Sequence, residues 1–314
     1  VEVCYGPKSV RVLAPRVNLA NVYTRQKKYA EAQETLYTLL EIYKETYGED
    51  HTKTVNIMQQ LAWNMEKQGN LADAGEMLQN ALVLAVGARG NQDQVSIDIM
   101  IALANVLNQQ GQYIGAQRIH HQLYEAYQAK FGENNYLAIS SLIDEGDMLI
   151  YQTKYTEAEA IFKESTRRCE IVFGAEDERT IYSLVSQCYA AYGLGRIQDI
   201  ESHICRLLKD LDEGSRFWSK RAAWLFFEMS KGYLARGAIK EAEPLAVKAA
   251  EISLKLLGRG DNETILLGLN LDRVRRQLWQ QQKGLPVEDT VSLTRDETTD
   301  SMIRRLELSL MKSL

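Results

Sequence analysis

Residues 55–86 read VNIMQQLAWNMEKQGNLADAGEMLQNALVLAV. Ile57, Met58, Leu61, Ala62 and Met65 recur at the spacing of one helix face. Gly69 and Asn70 interrupt that pattern, as a helix C-terminus requires, and Leu71, Ala74, Leu78, Ala81, Leu82 and Ala85 resume it. The expected elements are helices over 55–68 and 71–86, joined by a glycine turn and followed by a polar loop over 87–94. Each carries an apolar stripe that it cannot bury alone, so further helices must stack on both sides.

The rest of the chain supplies them. Gly6, Gly48, Gly90, Gly132, Gly174 and Gly258 lie on one 42-residue grid, with only the slot at Arg216 unfilled. Ala32, Ala74, Ala116, Ala158 and Ala242 share that period, with Ile200 in the gap, and Tyr29, Leu71, Tyr113, Tyr155, Ile197 and Ile239 stand three residues before them. In the first helices Ala20, Ala62, Ala104, Gly146, Cys188 and Ser230 form a small-residue column that permits close approach. Proline agrees: there are four in 314 residues and none from Arg16 to Glu243, as expected of a chain in which helix interiors exclude it. The fold class is all-α, a right-handed α-α superhelix of about six helix pairs plus C-terminal capping helices. The array covers residues 1–260, a capping helix 261–284, and a polar linker with an amphipathic C-terminal helix 285–314, whose stripe is Ile303, Leu306, Leu310 and Leu314. That last helix is expected to dock on its own array, with partner binding or dimerisation as alternatives. The fifth pair departs most from the grid, and a local change in helix spacing is expected there. Val1 in place of an initiator Met points to an excised piece or a processed chain.

These features resemble the tetratricopeptide repeat in its 42-residue, kinesin-light-chain-like form, and are similar to repeat regions of fungal NLR-like proteins. Tyr47-Gly-Glu-Asp-His-Thr52 resembles the family linker, with Thr52 where proline is usual. Gln59-Gln-Leu-Ala62 followed by Gln68-Gly-Asn-Leu-Ala-Asp-Ala74 resembles its helix-turn-helix signature. Lys240-Glu-Ala-Glu-Pro-Leu245 resembles a further family stretch, which puts Pro244 in a first helical turn, where proline is tolerated.

The resemblance implies that first helices line a concave surface that takes peptides or helices. Carried over by column, it places Asn21, Trp63, Asn105, Asp147, Tyr189 and Lys231 at the middle of the groove wall. One turn earlier come Asn18, Gln60 and Asp144, and one turn later Arg25, Lys67 and Tyr151. Asp98, Tyr182 and Trp224 stand at helix beginnings. A side-chain amide at Asn21 or Asn105 can hold an extended peptide by its N–H and C=O together. The wall runs from basic (Arg25, Lys67) through acidic (Asp98, Asp144, Asp147) to aromatic (Tyr182, Tyr189, Trp224), which implies a ligand with a basic or polar centre and an apolar anchor. Arg25, Asn21 and Lys67 depart in spacing from a two-carboxylate clamp.

Composition excludes other classes. Thirty-seven basic and forty-two acidic residues give a net charge of −5 with no basic block, against nucleic acid. No 18-residue apolar run exists, so no membrane association is expected, and the protein is expected in the cytoplasm. Cys4, Cys169, Cys188 and Cys205 stand singly, and Cys188 reads as inert packing. No phosphate-binding loop, nucleophile elbow or zinc-peptidase motif occurs, so no catalytic residue, cofactor or metal is expected. His120 and His121 point about 100° apart on a helix, and His120 falls in the core column of Leu36, Leu78 and Phe162. Asp144, Glu145 and Asp147 read as a solvated acidic face. The leading reading is a non-enzymatic scaffold binding a peptide or helical segment of a partner. The alternatives are a sensor or autoinhibitory region of a larger signalling ATPase or motor adaptor, and an atypical cyclase or isomerase in the superhelical cavity.

Overall fold

The computed structural model describes residues 10–212 and 219–284, and thirteen helices and no strand occur among them. In chain order they are α1 (Val10–Arg25), α2 (Tyr29–Tyr47), α3 (Thr52–Lys67), α4 (Leu71–Arg89), α5 (Gln94–Gln109), α6 (Tyr113–Phe131) and α7 (Tyr136–Tyr151), then α8 (Tyr155–Phe173), α9 (Glu178–Gly193), α10 (Ile197–Asp212), α11 (Lys220–Ala235), α12 (Ile239–Leu257) and α13 (Asn262–Gln282). First helices begin at residues 10, 52, 94, 136, 178, 220 and 262, a spacing of 42 throughout. The all-helical array of packed pairs is the architecture that the glycine and alanine columns predict. The Arg216 slot and the amphipathic 299–314 stretch lie outside the described residues.

The chain divides into two compact units, Val1–Lys154 and Tyr155–Leu314. In the first, consecutive helices from α1 to α7 pack together, and the first helices also touch each other, α1 with α3 and α3 with α5. In the second unit α8 packs on α9, α9 on α10, α11 on α12 and α12 on α13, with α9 also against α11, α10 against α12 and α11 against α13. The small-residue columns sit at the closest approaches: Ala32, Ala74, Ala116, Ala158 and Ala242 have no exposed surface. Ile200 fills the gap in that column and is itself buried. Leucines such as Leu36, Leu61, Leu78 and Leu103 fill the first core, and Phe226, Leu225 and Ile252 the second. Each such side chain contributes about 1.5–3 kcal/mol by leaving water.

Two further columns emerge. Each first helix from α3 on takes its N-cap from one repeat position: His51, Asp93, Asn135, Asp177, Ser219 and Asp261 each accept a backbone N–H of the opening turn. Such a cap is worth about 1 kcal/mol. In the first unit Gln68, Gln110 and Gln152 then reach back to the preceding second helix. Gln68 and Gln152 donate to Gln33 (2.8 Å) and Gln117 (3.0 Å), and Gln110 donates to the Leu71 carbonyl.

Three expectations change. α4 runs to Arg89, not Val86, because Gly87 keeps helical geometry and the stop is Gly90, at φ +83°. α3 opens at Thr52, since His51 caps it. Pro244 is the sixth residue of α12, beyond the first turn, and Pro15 is likewise the sixth of α1. Pro244 therefore forfeits the hydrogen bond to the Lys240 carbonyl. Buried Ala242, Leu245 and Ala246 around it offset that loss. Where most interhelix turns place glycine in the left-handed region, Thr153 adopts φ +59°, a strained geometry for a β-branched residue.

Candidate functional site

The fifteen residues placed on the groove wall are all exposed or half-buried, and none lies in the core. In the first unit Asn18, Arg25, Lys67, Asp98, Asn105, Asp144 and Tyr151 are exposed, while Asn21, Gln60, Trp63 and Asp147 are half-buried. Several are engaged by neighbours. Asp98 accepts from Gln94 at 2.8 Å, Lys67 lies 3.7 Å from Glu66, and Tyr151 stacks on Tyr113 with ring centres 4.9 Å apart. The Gln60 carbonyl oxygen is buried without a hydrogen-bond partner. Asn21 and Asn105 make no side-chain hydrogen bond among the described residues, so both amides retain a donor and an acceptor.

The α6–α7 junction breaks the apolar pattern at two core columns. His120 stands where Leu36 and Leu78 stand, and Glu145 where Leu61 and Leu103 stand. Each finds a more exposed partner across the junction. Glu145, with a side chain 7% exposed, meets His121, whose Nδ1 lies 3.0 Å from its Oε2. His120, 12% exposed, turns Nδ1 to within 3.7 Å of the Asp144 carboxyl, which is 54% exposed. The acidic trio is therefore not one solvated face. Helical rotation keeps Asp144 and Asp147 within about 60° of each other but swings Glu145 about 100° away, and that rotation buries it.

Burial drives both members of the second contact toward neutrality. It lowers the His120 imidazole to about 4. It raises Asp144 to about 7, with help from the Asp147 charge. Solvent still reaches over half of the Asp144 side chain, which works against the desolvation that raises it. Both shifts favour the uncharged form, and at 3.7 Å the contact is too long for a formed hydrogen bond.

His120 carries a pH prediction. Its folded pKa lies below the unfolded value of about 6.5, so the folded state binds fewer protons and the penalty is greatest in acid, fading as pH rises from 4 to 6.5. His120→Leu restores the column residue and removes that penalty. We expect the variant to gain roughly 2 kcal/mol more over wild type at pH 5 than at pH 7.5, read by denaturant unfolding at both values. An equal gain at both would show that the imidazole titrates normally in the fold.

In the second unit Tyr182, Tyr189, Trp224 and Lys231 come together through Ser186 and Glu228, which fall in the groove column one turn earlier, and through Arg221 and Tyr192, which the sequence did not single out. The Trp224 ring lies 5.5 Å from that of Tyr189 and 6.0 Å, edge-on, from that of Tyr192. Arg221 donates to the Tyr182 hydroxyl (3.1 Å) and the Ser186 hydroxyl (2.7 Å), with its guanidinium over both Tyr182 and Tyr189. Glu228 accepts from Tyr192 and pairs with Lys231 at 2.7 Å; burial and the Glu228 charge push the Tyr192 phenol up to about 12. Tyr192 escaped sequence reading because its column holds Thr24, Glu66 and Asn108, with no shared chemistry, whereas Arg221 continues a mostly basic column (Arg11, Lys53, Arg179) that was not placed on the groove wall. The two thiols among the described side chains are poor nucleophiles: burial raises Cys188 to about 12 and Cys169 to about 11. No cluster of metal-ligating side chains occurs among the described residues, and none of their helices is long and apolar enough to cross a membrane.

A family model described as the tetratricopeptide repeat matches residues 11–85 and 96–171. Among solved structures, the kinesin-light-chain TPR-like repeats of Podospora anserina share 16% identity, covering 65% of this chain and 97% of that one, at a TM-score of 0.55. BtubC (BKLC) from P. vanneervenii shares 15% identity, covering 67% of this chain and 83% of that one, at 0.52. At such identities the likeness is one of fold. No curated protein matches the sequence.

Proposed function

Since residues 11–85 and 96–171 are tetratricopeptide repeats, we propose that the protein is a non-enzymatic interaction scaffold whose first helices hold a peptide or helical segment of a partner. The observation that carries this reading is the pair of unengaged amides at Asn21 and Asn105, on a surface where Lys67, Asp98 and Tyr151 are tied up by intramolecular contacts. An amide pairs with the N–H and C=O of any extended chain, so it supplies affinity without sequence demand. Selectivity then falls to the neighbours. In the first unit Asp144 and Asp147 favour a basic or polar centre; in the second, taken by itself, Tyr182, Tyr189 and Trp224 offer rings to an apolar anchor.

Affinity capture with wild type and with Asn105→Ala/Asp147→Ala, partners identified by mass spectrometry, tests the proposal. Asn105 is exposed and Asp147 half-buried, and neither lies in the core, so the fold is expected to persist, checked by circular dichroism. The double variant should lose specific partners at least about tenfold, the equivalent of roughly 1.4 kcal/mol or more of binding energy. Equal recovery of the same set by both proteins would remove the first-helix surface from the reading.

A further inference from the structure

On the proposed peptide surface Asp144 is the acidic group that stands nearest a buried histidine. The Asp144 side chain is reachable from solvent. Behind it His120 presents a buried Nδ1 that has no hydrogen-bond partner. With the ring proton on Nε2, this Nδ1 is an acceptor, and an acceptor facing a carboxyl favours the carboxyl's protonated form, whose O–H can donate to it after a small rotation. The charged and titratable groups facing Asp144 within its unit are Asp147 on its own helix and His120 from α6. Asp147 also favours the protonated form, by like-charge repulsion. The second histidine is committed elsewhere, to Glu145 and, at 3.7 Å, to Glu125. The nearest equivalents in the flanking repeats lack this arrangement: Leu78 stands in place of His120, and Gln60 and Ala102 in place of Asp144.

We propose that Asp144 is a proton gate on the peptide-binding surface, with His120 as its buried acceptor, so that uptake of a cationic ligand side chain expels one proton and binding tightens as pH rises. The balance is simple. Unliganded, the carboxyl holds the proton; liganded, the carboxylate pairs with a guanidinium or ammonium group, and the proton passes to buffer. This rests on the reading of the surface as a peptide site with an acidic centre, and it predicts a linkage that an ordinary exposed aspartate would not show. Asp144 titrates around neutrality, so the gate works where small pH changes matter.

The test uses the full 314-residue chain and a capped peptide carrying two arginines, with its citrulline twin as control. Calorimetric titrations at pH 7 in phosphate and in Tris separate binding from proton release, because the two buffers differ in ionisation enthalpy. The expected result is release of about half a proton per peptide at pH 7, a several-fold tighter Kd at pH 8 than at pH 6, and neither effect with the citrulline peptide. Asp144→Asn should still bind, more weakly, with no proton released. Arginine-dependent binding with the same enthalpy in both buffers overturns the gate and leaves the acidic surface standing. Absence of arginine-dependent binding overturns the surface reading and the gate with it.

Discussion

Leu61→Glu is expected to be the most damaging single substitution in the first unit, costing about 4 kcal/mol or more and broadening or abolishing its cooperative unfolding. Leu61 has no exposed surface, so the change loses roughly 1.5–3 kcal/mol of apolar burial and strands a carboxylate among aliphatic neighbours. The same residue type is accepted 84 residues later. Glu145 occupies the equivalent column, yet it has His121 24 residues before it to share its charge. Position 61 has Tyr37 at that spacing, on the half-exposed face of α2. Adding Tyr37→His should therefore recover about 1 kcal/mol, and the reverse exchange, Glu145→Leu, should cost nothing or stabilise by about 1 kcal/mol, as replacement of a buried polar pair by a matched hydrophobe often does. Denaturant midpoints decide the matter. A Leu61→Glu variant within about 1 kcal/mol of wild type would mean that the column is wet in solution, and failure of Tyr37→His to recover anything would mean that the 24-residue pairing is incidental.

That contrast shows which parts of the molecule were legible. Columns that keep one residue type speak for themselves: Gly48 to Gly258 mark second-helix ends, and Ala32 to Ala242 mark close approaches, because sterics allow few substitutes there. Even the caps follow the period, but His51, Asn135 and Ser219 share only a side-chain acceptor with Asp93, Asp177 and Asp261, so the column is chemical rather than alphabetical. Pairings such as His121 with Glu145, or Arg221 with Tyr182, hold in one repeat alone and leave no periodic trace. Pro244 misled for a related reason. A family-like stretch locates a residue within a motif, whereas the start of α12 is decided by where Gly237 ends the turn, at φ +75°. For function the difference is larger. Exposure of the groove-wall residues follows from helical phase, but the state of Asp144 depends on a histidine that a different helix delivers.

Charge reversal at that centre should have the largest effect on binding. Asp144→Lys with Asp147→Lys replaces up to two negative charges by two positive ones on adjacent turns of α7, both accessible to solvent. For the two-arginine peptide at about 20 mM salt, a loss of affinity of roughly 100-fold is expected, near 2.7 kcal/mol. Screening shortens the reach of these charges to about 3 Å at 1 M salt, so the loss should shrink to about tenfold or less there. The pH profile adds an independent axis. The wild type tightens from pH 6 to pH 8 as Asp144 becomes easier to ionise, while the reversed surface, carrying lysines that stay charged across that range, has no group there to titrate and its affinity should stay flat. The folded state is monitored in parallel, since the substitutions also remove the carboxyl beside His120. Unchanged affinity at low salt, with the fold intact, would show that the acidic centre does not meet the ligand; a loss equally large at 1 M salt would place the effect in contact geometry instead of charge.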